Sequence, residues 1–300
     1  MRDTWKSRWA AAAFALLAMA GAPANAQETG KPAAANKKPP AAPTPKAPKP
    51  VAPAAPVENK NLDVPAARNE LLGGDVEKAA AAAQRLGTTK QPAALEALLD
   101  GLALGLHPRV ATAALDSVGN HKSPAAIDVL VQYTKNRNPD VRARAVLALG
   151  QIEDKRARNA AWVGFHDGEK TVRAAACKVA ELTKDKAATE PLVKLLVKGD
   201  EATATALAAI ATPDLARKLG ELIGQAPDDL LARTLGLVLL RPDFGKEEVY
   251  VEVVTTIGKI PGTEAVVALT NFISATPEKP PRLSRRKAQE IYEMRLSGGN

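Results

Sequence analysis

Three histidines are the residues of this chain best suited to holding a metal ion or moving a proton. They are His107, His121 and His166. A metal site needs several such ligands on one face, and the acid at helical spacing from any of them is Glu169, three residues after His166. No cluster of cysteines or further histidines accompanies them. The sequence therefore predicts no metal site.

The single cysteine and the scattered serines give no evidence of a catalytic nucleophile. Cys177 lies 31 residues after Val146, so we interpret it as a small buried apolar residue rather than a reactive thiol or an intermolecular bridge. The chain has no glycine-rich phosphate loop, no G-x-S-x-G turn and no H-E-x-x-H pair. We therefore predict no catalytic residue and no cofactor.

The elements that would position any functional residue are repeated helices. Pro139–Ile152 has the sequence PDVRARAVLALGQI, and Lys170–Thr183 has the sequence KTVRAAACKVAELT. The valines Val110, Val141 and Val172 recur every 31 residues. A fixed period of this length in an alanine- and leucine-rich sequence is typical of stacked helical hairpins, in which each unit buries its apolar face against the next.

Each unit is predicted to contain a first helix, a short turn and a second helix that often begins with proline, a residue tolerated in a first turn. The second helices are predicted at 124–134, 155–165, 186–197 and 213–223. Val249–Ile260 (VYVEVVTTIGKI) overlays Val141–Ile152 at an offset of 108 residues, so we interpret it as a later first helix. We expect six or seven units between about 66 and 275, with an irregular stretch within 200–247.

The two repeated segments resemble HEAT repeats, in particular the short variety of about 30 residues that is named after phycobilisome lyases. The resemblance implies an all-α fold, an alpha-alpha superhelix of about six or seven helical hairpins preceded by a disordered segment. It also implies that Asp140, Arg142 and Arg173 bond across neighbouring repeats. The sequence departs from the family pattern where Lys170 and Thr171 precede Val172.

Enzymes occur among proteins that the chain resembles, so an enzyme or cofactor-binding module similar to bilin lyases or to HEAT-like metal hydroxylases is the alternative function. The resemblance to the hydroxylases would require His-Glu pairs on successive helices. None of the three histidines is followed by glutamate. The residues thus favour a chain that is not an enzyme.

The first 26 residues predict a secretory signal peptide. Arg2, Lys6 and Arg8 form a basic start, Ala10–Ala20 is apolar, and Ala24-Asn25-Ala26 is a small-x-small cleavage site. We expect cleavage before Gln27; an uncleaved anchor is the alternative, although the apolar run is shorter than the roughly 20 residues of a membrane span. Residues 27–61 are rich in proline, alanine and lysine and predict a disordered spacer. Residues 62–278 form the predicted solenoid, and 279–300 a basic helix or tail.

The formal net charge of +8 would by itself suggest nucleic-acid binding, but the charge is unevenly distributed along the chain. Residues 62–278 contain 26 basic and 28 acidic side chains, a net charge of −2, so the basic excess lies in the flanks. A near-neutral solenoid predicts no nucleic-acid partner. The basic spacer is expected to contact anionic envelope polymers weakly.

We therefore predict a non-enzymatic protein-interaction scaffold of the bacterial cell envelope, which binds a protein partner across the surface of its second helices. The polar side chains predicted on that surface have mixed signs, as expected for a protein interface. Trp162, the one tryptophan after residue 26, is interpreted either as an interface anchor or as a core residue that fills space beside small neighbours. The candidate surface comprises Asp128, Gln132, Arg158, Trp162, Glu190, Lys194, Arg217 and Glu221.

Overall fold

A computed structural model describes Asn59 and residues 61–298, so the predicted signal peptide and nearly all of the predicted spacer lie outside the described residues. The described part is entirely helical, as predicted. It contains three short 3₁₀ helices, Pro124–Ala126, Trp162–His166 and Lys186–Ala188, and the α-helices α1 Val64–Leu71, α2 Val76–Leu86, α3 Pro92–Leu104, α4 Pro108–His121, α5 Ile127–Tyr133, α6 Pro139–Gly150, α7 Lys155–Ala161, α8 Lys170–Thr183, α9 Thr189–Val197, α10 Thr203–Ile210, α11 Pro213–Gly220, α12 Asp228–Leu239, α13 Glu247–Lys259, α14 Thr263–Ala275 and α15 Leu283–Ser297.

Helix starts follow local sequence. Asp75 precedes α2, and its Oδ1 accepts bonds from the backbone N–H groups of Glu77 (3.0 Å) and Lys78 (3.2 Å). Such side-chain caps satisfy donors that have no partner within the helix. Prolines occupy the first turn of α3, α4, α6 and α11, where their fixed φ favours the helix and no backbone donor is lost.

The helices pack in two layers as seven pairs that follow α1. The helices α2, α4, α6, α8, α10, α12 and α14 pack side by side in chain order and are called the first helices here. Their partners α3, α5, α7, α9, α11, α13 and α15 are called the second helices. Each pair contacts mainly its neighbours, as expected for a solenoid.

The placement of α13 corrects one sequence interpretation. This helix packs against α11 and α15, which places it among the second helices, whereas Val249–Ile260 was expected to form a first helix. An offset of 108 residues corresponds to about three and a half repeats of 31, so the similar sequence falls on the other helix of a hairpin. The last helix, α15, packs against α13 and α14 as the second helix of the seventh pair.

The core is built from alanine and leucine, and it brings neighbouring first helices close together. A Cβ added at Gly150 of α6 would lie 2.7 Å from Val179 Cγ1 of α8, so the approach of these two helices requires glycine. Cys177 is 1% exposed, as the sequence predicted, and burial raises the pKa of its thiol to about 12.

No helix within residues 61–298 has both the length and the apolar character that crossing a bilayer requires.

Candidate functional site

Two arginines bond the middle repeats to one another. Arg142 of α6 donates from Nε and Nη2 to the two carboxylate oxygens of Asp167, both at 2.8 Å, in the loop before α8. Its Nη1 donates to the backbone carbonyls of Asn136 (2.9 Å) and Arg137 (3.2 Å) in its own loop. The Arg142 and Asp167 side chains are only 17% and 15% exposed. This bond holds the pKa of the Asp167 carboxyl below its usual value.

Arg173 repeats this arrangement one unit later. Its Nε donates to Asp200 at 2.6 Å, and its Nη1 donates to the carbonyls of Asp167 (3.0 Å) and Gly168 (2.9 Å). The two arginines therefore form an inter-repeat ladder from α6 to the loop before α10.

Asp140 is not the acid of this ladder. Its side chain is exposed, and no cationic side chain in the described part of the chain pairs with it. The acids that Arg142 and Arg173 bind are Asp167 and Asp200, each in the loop before the following first helix. The family-based expectation for Asp140 is corrected accordingly.

One cavity lies across three of the first helices. It has a volume of about 730 Å³ and crosses α4, α6 and α8. A second cavity of about 300 Å³ continues it over α2 and α4 and shares Arg109, Thr112 and Arg144 with it. We call the two together the first-helix groove. The larger cavity is lined by His107, Pro108, Arg109, Thr112, Asn138, Asp140, Ala143, Arg144, Leu147, Thr171, Ala174, Ala175 and Lys178.

The repeated sequence itself produces this groove. In α4, α6 and α8 the valine of the repeat is buried, and the positions one before it and two, three and six after it lie along the groove. The positions two and three after the valine are mostly small, as with Ala143 of α6 and Ala174 and Ala175 of α8. The outer positions carry mostly larger side chains, so the small residues form a floor between two banks.

The family comparison agrees with this architecture. A family model described as HEAT repeats matches residues 98–162, which run from α3 through α7 into the following 3₁₀ helix. HEAT repeats are thus shown for this part of the chain. No curated protein sequence matches it.

Solved structures resemble this chain at low sequence identity, and the first of those below supports the fold alone. A homology model of the full-length AP-3 complex in an intermediate open conformation shares 15% identity, with 76% of this chain and 50% of that chain covered and a TM-score of 0.53. The complex of CpcE and CpcF of phycocyanin lyase from Nostoc sp. PCC7120 shares 18% identity, with 82% of this chain and 99% of that chain covered and a TM-score of 0.42. A designed armadillo repeat protein shares 14% identity, with 77% of this chain and 99% of that chain covered and a TM-score of 0.35.

Three cations of the first-helix groove are half-exposed and weakly paired. Arg109, Arg144 and Lys178 have side chains that are 64%, 49% and 51% exposed. Arg109 pairs with a glutamate on α2, Arg144 lies 3.4 Å from Asp116, and Lys178 lies 2.7 Å from Glu181. Exposed pairs of this kind contribute about 0–1 kcal/mol, so a partner can compete for the cations.

The second-helix residues predicted from the sequence do not line this groove, nor three further cavities of about 460, 340 and 230 Å³. Several bind each other or adjacent acids: Arg158 lies 3.4 Å from Asp185, and Lys194 lies 2.6 Å from Glu190. Arg217 bridges α11 to α13 through Glu252 at 2.9 Å. The exposed members of the predicted surface are Asp128, Gln132, Glu190, Lys194, Arg217 and Glu221.

Trp162 is half-buried and stacks on Phe165, with ring centroids 5.2 Å apart. Its indole Nε1 is buried and has no hydrogen-bond partner among the described residues. The ring packs against the hydrophobic core, which agrees with the core interpretation of this residue.

The histidines serve separate local roles. His107 precedes α4 and its Nδ1 accepts from the N–H of Arg109 (3.3 Å), while His121 Nε2 donates to the Leu86 carbonyl (3.0 Å). His166 is exposed. Between residues 61 and 298, no three His, Cys, Asp or Glu side chains converge closely enough to hold a metal ion.

Proposed function

We propose that this HEAT-repeat protein is a non-enzymatic scaffold that binds a protein partner along the first-helix groove. HEAT and armadillo-like repeats are typically protein-interaction scaffolds. The observation that carries the proposal is the 730 Å³ cavity across α4, α6 and α8. It offers one continuous contact to three successive repeats.

The chemistry of the groove favours a protein partner. Its floor is made of alanine and threonine, which leave room for a partner's side chains, and its banks carry charges of both signs. Small apolar floors with polar rims match the anatomy of protein interfaces. A mixed-sign surface is a poor match for a continuous polyanion such as a nucleic acid.

The proposed place of action is the bacterial cell envelope. The basic, apolar and small-residue order of residues 1–26 supports export, with an uncleaved anchor as the alternative. The spacer at 27–61 would set the reach of the scaffold, and its lysines would contact anionic envelope polymers weakly.

A crosslinked pull-down from envelope extract tests the scaffold, using the full chain and two matched variants. Ala143→Trp with Ala174→Trp fills the groove floor without changing its charge. Ala125→Trp with Ala187→Trp adds the same bulk at exposed positions of the 3₁₀ turns that open two second-helix segments. Circular dichroism and thermal melting confirm that each variant folds.

The expected result is one protein recovered near stoichiometry with the wild-type chain and the second-helix variant, and lost with the groove variant. Loss with the second-helix variant alone would assign binding to the surface first predicted from the sequence. Recovery of no specific protein would overturn the scaffold proposal.

A further inference from the structure

We infer that the segment seated in the first-helix groove is an acidic peptide, with carboxylates spaced to meet one cation in each of three successive repeats. This inference rests on the proposed function, since it names the chemistry of the partner at the same site.

The three groove cations form a diagonal row. Arg109 stands one position before the valine of its repeat, Arg144 three positions after, and Lys178 six positions after. Each cation therefore advances about one helical turn relative to the cation on the preceding first helix. The row crosses α4, α6 and α8 obliquely along the groove.

The spacing of this row follows from helix geometry. Neighbouring helices pack about 8–10 Å apart, and steps of three or four residues advance about 4.5–6 Å along a helix. The cations therefore originate from backbone positions roughly 10–12 Å apart. A partner helix presents side chains seven residues apart on one face at about 10.5 Å, so glutamates at every seventh position would match the row.

The charge of the larger cavity selects acidic groups. Its lining contains Arg109, Arg144 and Lys178 but only one carboxylate, that of Asp140. The acids that now pair with the three cations lie outside that lining, and those pairs are exposed and weak. Carboxylates from a partner that also covers the floor would be less solvated and would bind the cations more strongly.

The same charges argue against a continuous polyanion. Phosphates follow one another about every 3.4 Å along a nucleic-acid strand, far closer than the cations of the row. Glu77 and Asp116 of the smaller cavity pair with Arg109 and Arg144, and they would repel any phosphate placed over them. A peptide can place neutral or basic residues at those points.

Fluorescence anisotropy with the full chain tests the inference. The probe is a labelled alanine- and glutamine-based helical peptide of about 20 residues with glutamate at every seventh position, and its matched control carries lysine at those positions. We expect the glutamate peptide to bind more tightly, with an affinity that falls as salt rises. Replacing Arg109, Arg144 and Lys178 with glutamine should weaken binding roughly tenfold, the sum of three exposed ion pairs.

The control for charge is a second triple variant, Lys155→Gln, Lys186→Gln and Lys218→Gln. These lysines are exposed on second-helix segments, and the variant removes the same net charge. It should leave the affinity for the glutamate peptide within about twofold.

Equal loss in both triple variants, or equal binding of the lysine peptide, would overturn the inference. Polyphosphate that displaces the peptide with the same dependence on the groove cations would reassign the site to a polyanion. If the pull-down partner still depends on Ala143 and Ala174 while neither peptide binds through the cations, the scaffold stands and the acidic-peptide inference fails.

Discussion

At the scale of single residues, Arg142 does the most to join two repeats. Its guanidinium binds a carboxylate of the next unit and two carbonyls of its own unit. Lysine could not reproduce this planar, forked arrangement. The residue acts in stability and lies apart from the cations that line the groove.

Arg142→Ala should destabilise the fold by about 2 kcal/mol, because it leaves the mostly buried Asp167 carboxylate without its charged donor. Urea unfolding followed by circular dichroism measures the change. The matched control is Arg144→Ala: Arg144 is 49% exposed and 3.4 Å from its acid, so its loss should cost no more than about 1 kcal/mol. Equal costs for both variants would contradict the ladder as a source of stability.

His121 gives the fold a dependence on mildly acidic pH. Burial lowers the pKa of its ring, and this outweighs the opposing effect of the bond to the Leu86 carbonyl. The unfolded chain therefore binds a proton at a higher pH than the folded chain does. Stability should fall as pH drops below about 6.5, until the pH passes below the lowered folded pKa.

His121→Gln should flatten the stability profile between pH 7 and pH 5, because glutamine can still donate to the Leu86 carbonyl but does not titrate. Thermal melting across this range measures the profile. His166→Gln, at an exposed histidine, should leave the pH dependence in place. A profile that stays unchanged in His121→Gln would show that other groups cause it.

At the scale of helices, the close approach of α6 and α8 depends on Gly150. Gly150→Ala should destabilise the protein by about 1–2 kcal/mol, because the added methyl group overlaps Val179 and the helix propensity of alanine offsets only part of the cost. Thermal or urea unfolding measures the loss. Gly168→Ala, with no atom within 4 Å of the added Cβ, is the control that should change stability little.

A double-mutant cycle separates overlap from other causes. Val179→Ala in the Gly150→Ala background should recover part of the stability, since it removes the side chain that the new methyl group meets. Additive losses in the double variant would contradict direct contact.

The sequence predicted the start of the first helices better than it predicted the layer to which α13 belongs or the position of the groove. Pro139–Gly150 and Lys170–Thr183 begin where their repeated sequences begin, because proline starts, buried valines and small residues act locally. The layer of α13 depends instead on which helices it packs against, and that is a property of the whole stack.

The sequence did not predict the groove, because the predicted interaction surface was based on the polar side chains of the second helices. A cavity depends on the difference in side-chain size between neighbouring positions. The pattern that could have revealed it is the recurrence of small residues at Ala143 and Ala174, each two positions after the valine of its repeat and near longer side chains. Such a pattern also occurs in buried cores, so its meaning becomes clear only when burial is known.

At the scale of the whole molecule, the predicted export would decide which partners the groove can meet. We expect the mature protein to begin at Gln27 and to be recovered in the soluble envelope fraction. Cell fractionation followed by N-terminal sequencing measures both. A chain that keeps residues 1–26 and sediments with membranes would identify the uncleaved anchor, and a chain in the cytoplasm would contradict export.

The inter-repeat ladder has a consequence for how such a chain can change over generations. Arg142 binds its own loop and the next acid, Asp167, and Arg173 then uses the carbonyl of Asp167 and the following acid, Asp200. Each joint thus carries its donor in one unit and its acceptor in the next. An in-frame duplication of one such unit in the gene would supply both the arginine donor and the aspartate acceptor of the new contact between repeats. The protein could therefore lengthen without any other mutation.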